Sequence, residues 1–283
     1  MDTWYITDHG GPTQRGKVHL LSTSGSLNKS NTDYYKISDS RWKNHQHLGG
    51  CAFDHRRDIL WVALEPGTAG RASSVGLLAL HDNGPSEHNA QKRLNDWGFF
   101  PLEDRGHSSW VGFNPINGHL YSTEFDVPDG QSQLKVDVHQ VKGGSSKSSL
   151  FVKQFDDYIP LKYEDGAPFI GYRIQGGCIS PHGHLYLVED IERKNGEVRG
   201  GIHGFRLSDG RRFVYRHVTK PHVTQAGKTY GVRPAYEFQD ICFYTRGDRT
   251  FLHLIVMIRR FARANKVTIN HYNLQSTHTI IQA

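Results

Sequence analysis

The chain is poor in the residues that usually declare a function. Of its 283 residues only three are Cys and two are Met, too few for a disulfide framework, and the cysteine spacing matches no paired-Cys zinc pattern. No apolar run approaches the 18 or more residues that a membrane-spanning helix needs. The opening MDTWYITDHGG lacks the basic start and apolar stretch of a secretory leader. These absences predict a soluble chain with no membrane partner, cytoplasmic as the sequence stands and secreted if a leader has been removed. A bulk excess of one charge is missing too. Lys and Arg total 34 against 28 Asp and Glu, and the two signs are interleaved along most of the chain, leaving a net +6. The densest basic run, Arg259, Arg260, Arg263 and Lys266, is short. A solvated basic surface is therefore expected, not a nucleic-acid interface.

Glycine and aromatics are plentiful: 30 Gly, 14 Phe, 13 Tyr and 5 Trp, with 11 Pro, favour many turns and short strands over helices. Four segments begin alike. HLGGCAFDHRRDILWVALE starts at His47, HSSWVGFNPINGHLYSTEF at His107, IQGGCISPHGHLYLVED at Ile174 and FQDICFYTRGDRTFLHLIVMI at Phe238. Each predicts a strand, a tight turn and a second strand, with Asn117-Gly118 and His182-Gly183 in the turns. The alignment puts Cys51, Val111, Cys178 and Cys242 at one position, in steps of 60, 67 and 64 residues. Because valine replaces cysteine once, the position is expected to hold a small apolar side chain packed between sheets.

A third strand follows each pair, centred on Ala79, His139, His203 and His271, and recurs near the N-terminus around His19, in steps of 60, 60, 64 and 68 residues. Outer strands are expected near residues 34–37, 97–100, 150–155, 213–217 and 279–282. Five repeats, approximately 1–44, 45–104, 105–165, 166–233 and 234–283, then make one all-β domain, 1–283. The first copy is short at its start and should lack its innermost strand. This layout resembles the β-propeller superfamily at the level of fold: about five blades of four antiparallel strands, the first incomplete, with no WD or kelch signature. The chain resembles the five-bladed furanoside hydrolases in length and blade number. What that resemblance implies is an active site on the propeller axis built from carboxylates. Four of the five third strands carry His (19, 139, 203 and 271). They should lie a blade apart and away from the axis, so no metal set is expected from them.

In a propeller the end of each second strand returns to the face where the first strand begins, so residues at both places surround one funnel. Second strands end on Glu65, Glu124 and Glu189, with Asp8 in the first copy and Arg259 in the fifth. First strands begin with His47 and His107, then Arg173 and Gln175, then Glu237, Gln239 and Asp240. Glycines 49, 50, 176 and 177 stand beside them, where a ligand or another backbone can approach closely. Two carboxylates about 6 Å apart repel by roughly 3 kcal/mol at an effective dielectric near 20. Either one carboxyl keeps its proton or a cation sits among them, a Ca²⁺ held by Glu124, Glu189 and Asp8 being the expected form.

These residues lead to an enzyme acting in the funnel on a small polar, carbohydrate-like substrate. Glu65, Glu124 and Glu189 would serve as acid and water-activating base, His47 and His107 would assist, and Arg173, Gln175, Glu237, Gln239, Asp240 and Arg259 would bind substrate. A lyase or lactone hydrolase would use the same inventory with a His or Tyr base. A lectin-like propeller stacking sugars on Trp4, Trp61, Tyr121 or Tyr186 is the alternative, although core packing suits those aromatics better. A protein-interaction platform is a third reading. The loops at 126–133, 143–149 and 192–201 suit rims, and 219–232, with His222 and Tyr230, suits a lid.

Overall fold

The computed structural model describes residues 3–8, 16–22, 33–37, 47–65, 75–84, 90–102, 108–127, 130–194, 197–218, 235–246, 249–259, 266–274 and 280–282. Within them lie five antiparallel sheets, each built from strands consecutive in the chain. The first has three strands: β1 (Thr3–Asp8), β2 (Lys17–Ser22) and β3 (Asp33–Lys36). The second runs from β4 (His47–Asp54) through β5 (Ile59–Glu65) and β6 (Gly76–Asp82) to β7 (Leu94–Pro101), with one helical turn, α1 (Ala90–Arg93), before β7. The third comprises β8 (Gly112–Phe113), β9 (His119–Thr123), β10 (Lys135–Lys142) and β11 (Phe151–Pro160). The fourth comprises β12 (Ile174–Ile179), β13 (Leu185–Lys194), β14 (Glu197–Phe205) and β15 (Arg212–Arg216). The fifth comprises β16 (Ala235–Arg246), β17 (Arg249–Arg259), β18 (Lys266–Leu274) and β19 (Ile280–Gln282).

Alternation along the strands explains why the sheets face one another in series. On β5, Leu60, Val62 and Leu64 turn to the first sheet and pack with Val18 and Ile37. The intervening Ile59, Trp61 and Ala63 turn to the third and pack with Val111, Phe113 and Leu120. A period of two thus gives one strand two apolar faces, each buried in a different core. The same arrangement joins the third sheet to the fourth through Trp110, Phe169 and Leu187, and the fourth to the fifth through Tyr186, Val188, Phe238 and Leu254. Between the first and last sheets Trp4 stacks on His253 of β17, with ring centroids 4.7 Å apart. Sheets packed face to face in chain order, with the last returning to the first, form a β-propeller.

The turns are the tight ones the sequence predicts. Gly118 and Gly183 have φ of +75° and +79°, the left-handed region that lets the short loops between β8 and β9 and between β12 and β13 close. The first strands β4, β8, β12 and β16 lie innermost: β4 meets β8, β8 meets β12, β12 meets β16, and β4 and β12 touch across the axis. In the first sheet β1 is the edge strand on the axial side. Among the described residues no helix is long and apolar enough to cross a membrane.

Candidate functional site

The residues singled out by the sequence fall into three places. The first is the axis itself. Asp240, on β16, directs its carboxylate across the axis into a bed of glycine backbone. A Cβ on Gly176 would come within 2.4 Å of its Oδ1, and one on Gly50 within 2.7 Å of its Oδ2. Its oxygens accept backbone N–H groups from Ile241 on its own strand, Cys51 on β4 and Gly177 on β12, so one carboxylate ties three sheets together. Burial raises its pKa, the three N–H donors lower it, and the balance leaves it at about 8. This carboxyl therefore keeps its proton at neutral pH. Gly49 and Gly177 serve close approach as well. A Cβ there would meet the Ser109 carbonyl oxygen at 2.2 Å and the Trp110 ring at 2.6 Å.

The second place is the face where the first strands begin. The exit of β9 is stitched to the start of β12: Ile174 N–H donates to Phe125 O (2.7 Å) and Arg173 N–H to Asp126 Oδ1 (2.6 Å). Arg173 has φ of +51°, a strained value for a non-glycine residue. Its guanidinium reaches Asp190 Oδ2 at 3.1 Å, while Phe238 N–H donates to Asp190 Oδ1. Glu124 and Glu189 are both buried beside this seam.

Glu189 does not project into the funnel as a free acid. Its Oε1 accepts Tyr172 N–H at 2.9 Å and its Oε2 lies 3.2 Å from His203 Nε2. Arg212 approaches His203 Nδ1 at 3.1 Å and pairs with Glu164 through two bonds of 2.9 and 2.7 Å. Since Nδ1 faces a guanidinium donor, the proton resides on Nε2 and is donated to Glu189. Burial, the largest effect, keeps the His203 pKa low despite Glu189. Glu189 is thus an acceptor that holds the 172–173 turn. Asp8 is half exposed, 3.6 Å from His19. Glu124, Glu189 and Asp8 do not assemble the expected Ca²⁺ site: no group of three or more His, Cys, Asp or Glu that could hold a metal occurs among the described residues. The reason for Glu189 is physical, because both of its oxygens are already engaged.

His107 and the 219–232 segment lie outside the described residues, as do the side chains of His47, Glu65, Glu237, Arg259 and His271. Gln175 and Gln239 are partly exposed on β12 and β16. His139 is buried in its sheet against Ser122, 2.9 Å away, so it and His203 serve packing, as third-strand histidines should.

The third place was not anticipated. A cavity of about 730 Å³ lies at the opposite end of the axis, where first strands finish, lined by Thr3, Trp4, Tyr5, Cys51, Phe53, Val111, Phe113, Cys178, Cys242 and Tyr244, with His55 and Asp58 among its lining residues. The three cysteines are free and partly exposed. As expected, Cys51 and Cys178 pack against the apolar cores between sheets; standing on innermost strands, with no further strand to cover them, they and Cys242 also line this space. Burial is the main cause that raises all three thiol pKa values, Cys242 to about 12, with Asp240 adding to it. Arg93 grips Asp82 at 2.6 and 2.7 Å and reaches Tyr5 Oη (3.1 Å) and Thr3 Oγ1 (3.2 Å), while Tyr5 donates to Asp82. Burial opposes ionisation of Asp82, but these bonds and the Gly84 N–H outweigh it and hold the carboxyl below its ordinary value.

The chain is a β-propeller with a polar face and an aromatic cavity at the two ends of its axis. It is similar in fold to an α-L-arabinanase of Cellvibrio cellulosa, with a TM-score of 0.54, 12% identity, and coverage of 100% of this chain and 92% of that one. The same enzyme complexed with arabinohexaose gives 0.53, 11%, 99% and 91%. An exo-1,5-α-L-arabinanase from a bovine ruminal metagenomic library gives 0.55, 11%, 99% and 92%. No protein-family model matches the chain, and no curated protein matches it in sequence.

Proposed function

We propose that this single-domain chain is a five-bladed propeller, counting the three-stranded sheet as a blade, and a carbohydrate-acting hydrolase that works on the axis where the first strands begin. The observation carrying this reading is Asp240, a carboxyl on the axis whose pKa burial raises to about 8 and which packs against the glycine backbone of β4 and β12. A protonated carboxyl can donate to the leaving oxygen of a glycoside. Glu124 is the water-activating carboxylate of the proposal. Arg173, fixed by Asp126 and Asp190, binds substrate hydroxyls together with Gln175 and Gln239. His47, His107 and Glu65 as further catalytic groups, and Glu237 and Arg259 as binding groups, belong to the same proposal. Glu189 acts indirectly, through the 172–173 turn.

The substrate class comes from the fold's company: one arabinanase of this architecture is known with arabinohexaose bound. Arabinofuranose-containing oligosaccharides are therefore the first substrates to test. The lectin alternative loses three of its four stacking platforms, because Trp61, Tyr121 and Tyr186 are 0, 4 and 0% exposed, which leaves Trp4, at the other end of the axis. Incubation with a panel of furanosyl and pyranosyl oligosaccharides, read by reducing-sugar release, should reveal hydrolysis of at least one furanosyl member. A folded chain inert on the whole panel would remove the hydrolase reading.

A further inference from the structure

We propose that the cavity at the opposite end of the axis binds a neutral, largely apolar ligand carrying an aromatic ring. It is distinct from the polar face assigned to carbohydrate. Among the described residues the first sheet has three strands, and its β1 lines the cavity together with the ends of β4, β12 and β16. Trp61, Tyr121 and Tyr186, on the second strands of other sheets, are buried, whereas Trp4 on β1 is partly exposed and lines the cavity with Thr3 and Tyr5. At about 730 Å³ the space is of the size that holds a drug-sized molecule.

The lining selects the ligand. The Trp4 indole is backed by His253 at 4.7 Å and flanked by Tyr244 at 5.4 Å, giving a stiff aromatic platform. The ion pair in the wall is internally neutralised, since Arg93 binds Asp82 twice and Tyr5 and Thr3 take further bonds. The thiols of Cys51, Cys178 and Cys242 stay protonated because burial raises their pKa values. Where Arg93, Asp82, Tyr5 and Thr3 form the wall, the polar groups are engaged with one another and offer few partners to a sugar's hydroxyls, which would lose their water bonds on entry. An apolar ring meets no such cost.

Nile red, a neutral aromatic dye, is the probe. Fluorescence titration of the full chain should give one saturable site per chain. Trp4→Ala should weaken binding at least tenfold, and Cys242→Phe, which fills the cavity, should abolish it, both variants being checked for folding by circular dichroism. Val111→Phe serves in place of either variant that fails to fold. Absence of saturable binding, or binding unchanged in the folded variants, overturns the proposal. Displacement of the dye by arabinohexaose overturns it too, because the cavity would then accept sugar. Gln175→Ala, on the polar face and outside the cavity lining, should leave dye binding within twofold while lowering hydrolysis, so this site and the hydrolase reading fail or stand separately.

Discussion

The axial carboxyl makes a quantitative prediction about stability. Asp240 has a pKa of about 8 in the folded chain against an ordinary 3.8. Below pH 4 it is protonated folded or unfolded and contributes no pH dependence. Between pH 4 and 8 the unfolded chain releases this proton while the folded chain retains it, so stability falls as pH rises, and the loss is complete above pH 8. The full difference in proton affinity corresponds to on the order of 5 kcal/mol. Asp240 as a whole residue is only partly buried, so roughly 2–3 kcal/mol should be measurable. Asp240→Asn cannot ionise and should lack this slope. At low pH the variant should be the less stable by about 1–3 kcal/mol, because an amide NH₂ then faces one of the three backbone N–H donors. The two curves should converge or cross as pH approaches 8. Urea midpoints for both proteins at half-unit steps from pH 4 to 9 decide the matter. Parallel curves, offset by a constant, would refute the raised affinity of Asp240.

His203 gives the opposite trend. Its folded pKa is depressed, so its stabilisation is present above about pH 6.5 and lost as pH falls and the unfolded imidazole charges; His203→Gln should flatten the acid limb of a thermal-melt series. Arg93→Ala strands the buried Asp82 carboxylate and should cost about 3 kcal/mol in urea unfolding, whereas an exposed pair such as Arg206–Asp209 should cost less than about 1. Gly49→Ala forces a Cβ against the Ser109 carbonyl and should destabilise by about 1–3 kcal/mol in the same assay. The three thiols should react with a disulfide reagent at pH 8 far more slowly than in urea-unfolded chain, since burial keeps them protonated.

Most of the architecture was legible because it rests on periodicity. Strand alternation, the Asn-Gly and His-Gly turns and the recurring third strand each follow from local chemistry, and every predicted outer strand is found within a few residues. The short first copy likewise yields three strands. The site was less legible, because recurrence does not tell architecture from chemistry. Glu189 recurs with Glu124 and Glu65, yet its oxygens are taken by His203 and the Tyr172 N–H, contacts made across strands that spacing alone does not reveal. Asp240 stood out as the residue breaking the pattern: at the corresponding place the other copies carry Gly49, Ser109 and Gly176. Glycines facing one acid in aligned strands were a readable sign that the acid would fill the axis. The cavity was not legible because it forms where the first strands of different sheets finish together, and spacing along the chain does not reveal the space between them.

The central claim, that Asp240 is the proton donor of a glycoside hydrolase, is tested most directly by the pH dependence of kcat/KM for the best oligosaccharide found, in the native protein and Asp240→Asn. The account predicts a plateau that declines above about pH 8 in the native protein. In the variant it predicts a loss of roughly a hundredfold or more, with no such decline. Equal rates in the two proteins, or the same alkaline limb in both, would contradict it.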